Sequence, residues 1–71
     1  MRVDSIGIAR KSPNGWFAIL KPNGRLSRRI WQSKYRAAEF AMLALKVDNW
    51  GALMDRGYRI VPSPTGPKVT H

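Results

Sequence analysis

Four cations, Lys11, Lys21, Arg25 and Arg29, fall at odd-numbered positions of the stretch that also carries Phe17, Ile19 and Trp31, with Arg28 beside them. Interleaved bases and rings suit binding. Cations attract phosphates and release counterions, while a flat ring stacks on an unpaired base or enters a pocket of a partner protein. The residues that catalysis needs are missing: the single histidine is His71 at the terminus, there is no cysteine, and the four carboxylates, Asp4, Glu39, Asp48 and Asp55, are scattered along the chain. No acid–base pair, nucleophile–base pair or metal cluster can be assembled from them, so neither an enzyme nor a cofactor or metal site is expected.

Two copies of Pro-Asn-Gly, at 13–15 and 22–24, punctuate this stretch. Proline presets φ, asparagine follows, and glycine takes the position needing φ > 0, a pattern that closes a three-residue hairpin with a bulge. Three antiparallel strands are predicted, at 5–11, 16–21 and 25–31. In that register Leu20 faces both Leu26 and Ile8. Even-numbered Ile6, Ile8, Trp16, Ala18, Leu20, Leu26 and Ile30 share one side as the core face. Odd-numbered Ala9, Lys11, Phe17, Ile19, Lys21, Arg25, Ser27, Arg29 and Trp31 share the other. A two-residue Asn-Gly turn would shift the pairing by one, but it would ask proline for an N–H that it lacks. The competing reading of the odd face is that Phe17, Ile19 and Trp31 are covered by the N-terminal segment or by 58–62 folding back over them.

Ser33 reads as an N-cap, and 34–47 as a helix with no Gly or Pro and with Phe40, Leu43, Ala44 and Val47 at helical spacing. Asp48 can cap a short second helix through Asp55, ended by Gly57, and 58–62 makes a short strand or extended segment. The predicted fold is α+β: a three-stranded antiparallel sheet packed on one long helix, with a short second helix and a short C-terminal strand. Residues 1–62 form one compact domain, and 63–71, bearing Pro and Gly, form a flexible tail.

Seventy-one residues, 44% of them hydrophobic, suffice for one small domain. The absence of cysteine fits a reducing cytoplasm, and with no apolar run near ~20 residues and no signal-like pattern in its first residues, neither a membrane span nor a secretory signal is expected. Charge is the informative quantity. Thirteen Lys and Arg against four acids give +9, and eight of the bases lie between Ser5 and Ala38 with no acid among them. A field of that size attracts polyanions, although a merely solvated surface is the plain alternative.

The segment "GIARKSPNGWFAILKPNGRLSRRIWQSKYRAAEFA", about half of the chain, resembles the three-strand-plus-helix DNA-binding domain of APETALA-type plant factors and of phage integrases. The likeness lies in Gly7-Ile8, in the pattern Trp16, Ala18, Leu20, in Arg29 with Trp31, and in Ala37-Ala38. It implies a sheet lying in the major groove, with Ala9, Lys11, Ile19, Lys21, Arg29 and Trp31 facing DNA. The family usually carries arginine at the position of Ala9 and a polar residue at that of Ile19. In size, charge and Pro-bearing end, the whole chain is similar to small basic bacteriophage proteins that bind host RNA polymerase, block initiation and permit readthrough of terminators.

The expectation is a monomeric transcription regulator of phage type in the bacterial cytoplasm, docked on RNA polymerase beside the nucleic acid. Phe17, Ile19, Trp31 and Arg28 would contact the partner, and Lys11, Lys21, Arg25 and Arg29 would contact nucleic acid. A DNA-binding domain reading bases with Arg29 is the first alternative, and a ribosome- or RNA-packing protein the second.

Overall fold

A computed structural model of the chain describes Val3 and residues 5–66. The element order is β1 (Phe17–Leu20), α1 (Lys34–Leu45), α2 (Trp50–Asp55) and β2 (Arg59–Pro62). It is α+β, with two antiparallel strands and two helices. The predicted three-stranded sheet on one long helix is not what forms.

The first Pro-Asn-Gly closes a turn, Gly15 N–H to Ser12 C=O at 3.1 Å, but not the predicted hairpin, because 5–11 does not pair with β1; the second forms its hairpin. At the second Pro-Asn-Gly, Lys21 N–H donates to Arg25 C=O at 2.9 Å and Gly24 N–H to Lys21 C=O at 2.9 Å, so Leu20 bridges Leu26 in the predicted register. Ser27 N–H still donates to Ile19 C=O at 2.8 Å, and past it the ladder breaks. Ile19 N–H is taken by the Ser27 hydroxyl at 3.0 Å, which itself donates to Arg29 C=O at 2.7 Å. Pairing resumes at Phe17 and Trp31, so two extra residues are looped out as a bulge. An insertion of two preserves side-chain parity, which leaves Trp31 on the same face as Phe17 and Ile19.

The other edge of β1 is where the fold departs from expectation. β2 takes it, with Phe17 opposite Pro62 and Ile19 opposite Ile60. The N-terminal segment, predicted to pair with β1, lies instead on the far side of β2, where Ile8 bridges Ile60 in parallel. Ile60 N–H donates to Gly7 C=O at 2.7 Å, and Ala9 N–H to Ile60 C=O at 2.9 Å. Gly7 makes this approach possible: at φ +75 an added Cβ would lie 2.9 Å from Arg59 Cδ.

This insertion decides which face is the core. Ile60 and Pro62 join Phe17, Ile19 and Trp31 on the odd side of β1, whereas Arg59 and Val61 fall on the other, with Ala18 and Leu20. The odd side is therefore the more apolar, and α1 packs there. Phe17, Ile19 and Trp31, expected to look outward, are only 7%, 6% and 8% exposed and belong to one cluster with Ile8, Ile60, Leu53 and the helix alanines. Trp16 and Leu20, expected beneath the helix, are half-buried, and Ile6 and Leu26 are exposed.

α1 starts where Ser33 accepts a hydrogen bond from Arg36 N–H at 3.4 Å. It ends at Leu45, two residues short of the expected limit. Lys46 turns left-handed at φ 56, and Val47 N–H reaches back to Met42 C=O at 3.0 Å, a Schellman closure. The face it buries is Ala37, Ala38 and Ala41. Small residues let the helix sit close on a sheet whose own large side chains fill the interface. Phe40, Leu43 and Ala44, at helical spacing in the sequence, are left exposed.

α2 is capped by Asn49, one residue beyond the predicted Asp48, through a 2.9 Å bond from Ala52 N–H. Trp50 ties it to the N-terminal segment, its indole N–H donating to Ile6 C=O at 2.6 Å. Ser63, expected to open the tail, is buried, its N–H donating to Trp16 C=O at 2.8 Å. Pro64 and Thr65 are exposed and Gly66 is half-buried, and the last five residues, 67–71, including His71, lie outside the described residues. No helix among the described residues is long and apolar enough to cross a membrane.

Candidate binding cleft

Because α1 buries Ala37, Ala38 and Ala41, the flank that carries Phe40 and Ala44 is left exposed. The bulge pushes Ser27, Arg28 and Arg29 outward opposite that flank. Between the two lies an open cleft of about 520 Å³, within the ~300–1,000 Å³ common for ligand sites. Ile19, Trp31, Ala41, Leu45 and Tyr58 contribute apolar or aromatic surface to its lining, Phe40 and Ala44 form the helix side, and Lys21, Ser27, Arg28 and Arg29 form the hairpin side. None of these residues is acidic.

Arg29 joins the two walls. Its guanidinium carbon lies 5.7 Å from the centre of the Trp31 ring and 5.1 Å from that of Phe40, and those two rings are 5.2 Å apart at 46°. A cation over two tilted rings is held at about 0.5–1 kcal/mol per contact when solvent-exposed. The arginine therefore rests on the rings without being locked there, and its N–H donors remain available to an acceptor at the mouth. Ser27 is differently placed. Its hydroxyl accepts from Ile19 N–H and donates to Arg29 C=O, so it is already committed to the bulge.

Of the residues singled out from the sequence, Ile19, Lys21, Arg28, Arg29 and Trp31 are brought together at this cleft. Their roles are redistributed. Ile19 and Trp31 are buried floor, not protruding anchors, and Arg28, Arg29 and Lys21 are the exposed rim. Phe17 is a core residue away from the cleft. Arg25 is exposed at the hairpin tip, where its N–H donates to Asn23 Oδ1 at 2.9 Å, and Lys11 is exposed on the segment leading to the first Pro-Asn-Gly. Neither lines the cleft.

Phe40, Ala44, Leu45 and Tyr58 were not foreseen as site residues. A signal existed for the first two: most of the circumference of α1 is apolar, more than one sheet face can cover, so some of it had to stay open.

The opposite face of the sheet carries Ala18, Leu20, Leu26 and Val61 by register. Its one cation from the strands, Arg59, is turned to the Met54 and Tyr58 carbonyls at 2.9 and 2.7 Å. Compared with known protein families, curated proteins and solved structures, the chain matches none.

Proposed function

We propose that this chain is a non-catalytic, monomeric transcription regulator of phage type, acting in the bacterial cytoplasm by docking on RNA polymerase beside its nucleic acid. The observation that carries the reading is the rim of Lys21, Arg28 and Arg29 around an apolar cleft on a chain of net charge +9. An apolar cleft with a cationic mouth grips a protein surface while its charges steer the approach. Lys11 and Arg25, exposed outside the cleft, are left to track phosphates. The choice of polymerase as the machinery rests on likeness in size and charge to the small phage regulators, and the outcome for transcription is block of initiation, readthrough of terminators, or both.

The major-groove alternative has less support in the geometry. Of the residues that it would turn to DNA, Ala9, Ile19 and Trp31 are buried, and Arg29 lies on the helix side of the sheet.

Purified polymerase holoenzyme, treated with nuclease and passed over the immobilised chain, tests the reading. Retention at low salt, loss with rising ionic strength, and altered run-off or terminator readthrough in a purified transcription reaction are expected. A chain that leaves the treated enzyme in the flow-through, and transcription unchanged, overturns it.

A further inference from the structure

The cleft between α1 and the bulged arm has an unusual division of chemistry, and that division specifies its occupant. Inside, Ile19, Trp31, Ala41 and Leu45 offer contact surface, and the Ser27 hydroxyl is already engaged on both sides. A group entering it gains dispersion contacts and desolvation but finds few polar partners. At the mouth, Lys21, Arg28 and Arg29 supply three positive charges with no acid among the lining residues. On the helix side Phe40 is 42% exposed, and Leu43, outside the lining, is 73% exposed, so the apolar surface continues along the helix.

We infer that this cleft is a docking site for a short acidic segment of a partner protein. One large aliphatic or aromatic side chain of the segment enters the cleft, and its neighbouring carboxylates are taken by Lys21, Arg28 and Arg29. Arginine accepts a carboxylate in bidentate fashion, and Arg29 can do so by leaving the Phe40 ring on which it rests. The inference rests on the protein-docking reading above and narrows it to the chemistry of the docked segment.

An unpaired nucleobase fits this site less well. Its polar edge would enter a lining whose only uncharged polar side chains are Ser27, already engaged on both sides, and Tyr58. An apolar side chain brings no such edge to be paired.

The test is selection from a random peptide library on the immobilised full chain, followed by binding of the enriched peptides, labelled, to wild type and to two variants. Ala44→Glu puts a negative charge at the exposed lip with a residue that favours helix. The double variant Arg28→Gln, Arg29→Gln removes two rim charges. Circular dichroism and melting temperature confirm that each remains folded. The expected peptides carry net negative charge and at least one large apolar residue, bind about tenfold more weakly to either variant, and shift the resonances of Ser27, Ala41, Ala44 and Leu45. Labelled oligothymidylate, run in parallel, is expected to leave the Ala41 and Leu45 resonances in place.

No enrichment over an unrelated basic protein overturns the inference, as does enrichment of neutral or basic peptides, or equal binding by Ala44→Glu. Oligothymidylate shifting Ala41 and Leu45 as strongly as the peptides assigns the cleft to nucleic acid instead. The outcome is separable from that of the polymerase experiment. Polymerase retained equally by wild type and Ala44→Glu would sink the cleft assignment and keep the regulator. Acidic peptides bound as described by a chain that ignores polymerase would do the reverse.

Discussion

Phe17 and Trp31 exchange two backbone hydrogen bonds, Phe17 N–H to Trp31 C=O at 2.7 Å and the reverse at 2.9 Å, across a bulge that keeps both side chains under α1. This pair places the hairpin arm relative to the helix, and so forms the cleft between them. Truncating either side chain should therefore remove core, not surface. Phe17→Ala and Trp31→Ala are each expected to cost about 3–5 kcal/mol, a large share of the stability of so small a domain. Trp16→Ala, at a half-buried site on the other face, is expected to cost less than about 2 kcal/mol. Urea titration of the three variants decides between them, and a larger loss at Trp16 than at Trp31 would count against the fold described.

The bulge depends on one hydroxyl. Ser27→Ala leaves Ile19 N–H, which is part-buried, without its acceptor, at an expected cost of about 1–3 kcal/mol. Hydrogen exchange should quicken at Ile19 and remain slow at Ile60, which keeps its bond to Gly7. Unchanged exchange at Ile19 would show that the hydroxyl is dispensable.

Helix α1 approaches the sheet through alanine. Ala41→Leu forces a larger side chain into that contact and is expected to destabilise by about 1–3 kcal/mol. Leu43→Gln, on the exposed flank, should change stability by no more than about 0.5 kcal/mol. Paired thermal melts of these two variants report which stripe of the helix is inward.

Much of the local structure was legible in the chain. Ser33 caps the helix as its side chain dictates, and the second Pro-Asn-Gly pairs Leu20 with Leu26, since both depend on residues a few positions apart. What escaped was nonlocal. β2, more than 35 residues beyond β1, enters between it and the N-terminal segment, and no turn signal announces that pairing. With Ile60 and Pro62 counted beside Phe17 and Ile19, the odd face becomes the core. Without them, the even face looks the richer. In the helix, Phe40 and Leu43 stand at helical spacing in the sequence, yet Ala37, Ala38 and Ala41 fill the inward stripe. The basic residues survived this reversal better than the rings. Lys21, Arg28 and Arg29 are exposed on either reading, because long charged side chains reach solvent from most positions.

Lys46 closes α1 with φ 56, a conformation that costs a side-chain-bearing residue about 1–2 kcal/mol. Lys46→Gly relieves that cost against a greater loss of unfolded-state entropy. A net gain of about 0.5–1 kcal/mol is expected, read as a raised urea midpoint with unaltered slope. A lowered midpoint would mean that the left-handed closure does not form.

The identity of the sheet face beneath α1 underlies the cleft, its rim and the partner chemistry assigned to it. Nuclear Overhauser contacts between side chains measure it directly. Contacts are expected from the Trp31 ring to Phe40, and from Ile19 and Trp31 to the methyl groups of Ala37 and Ala41, with none from Trp16 or Leu20 to those methyls. Contacts from Trp16 and Leu20 to Ala37 and Ala41, with Ile19 and Trp31 silent, would contradict it.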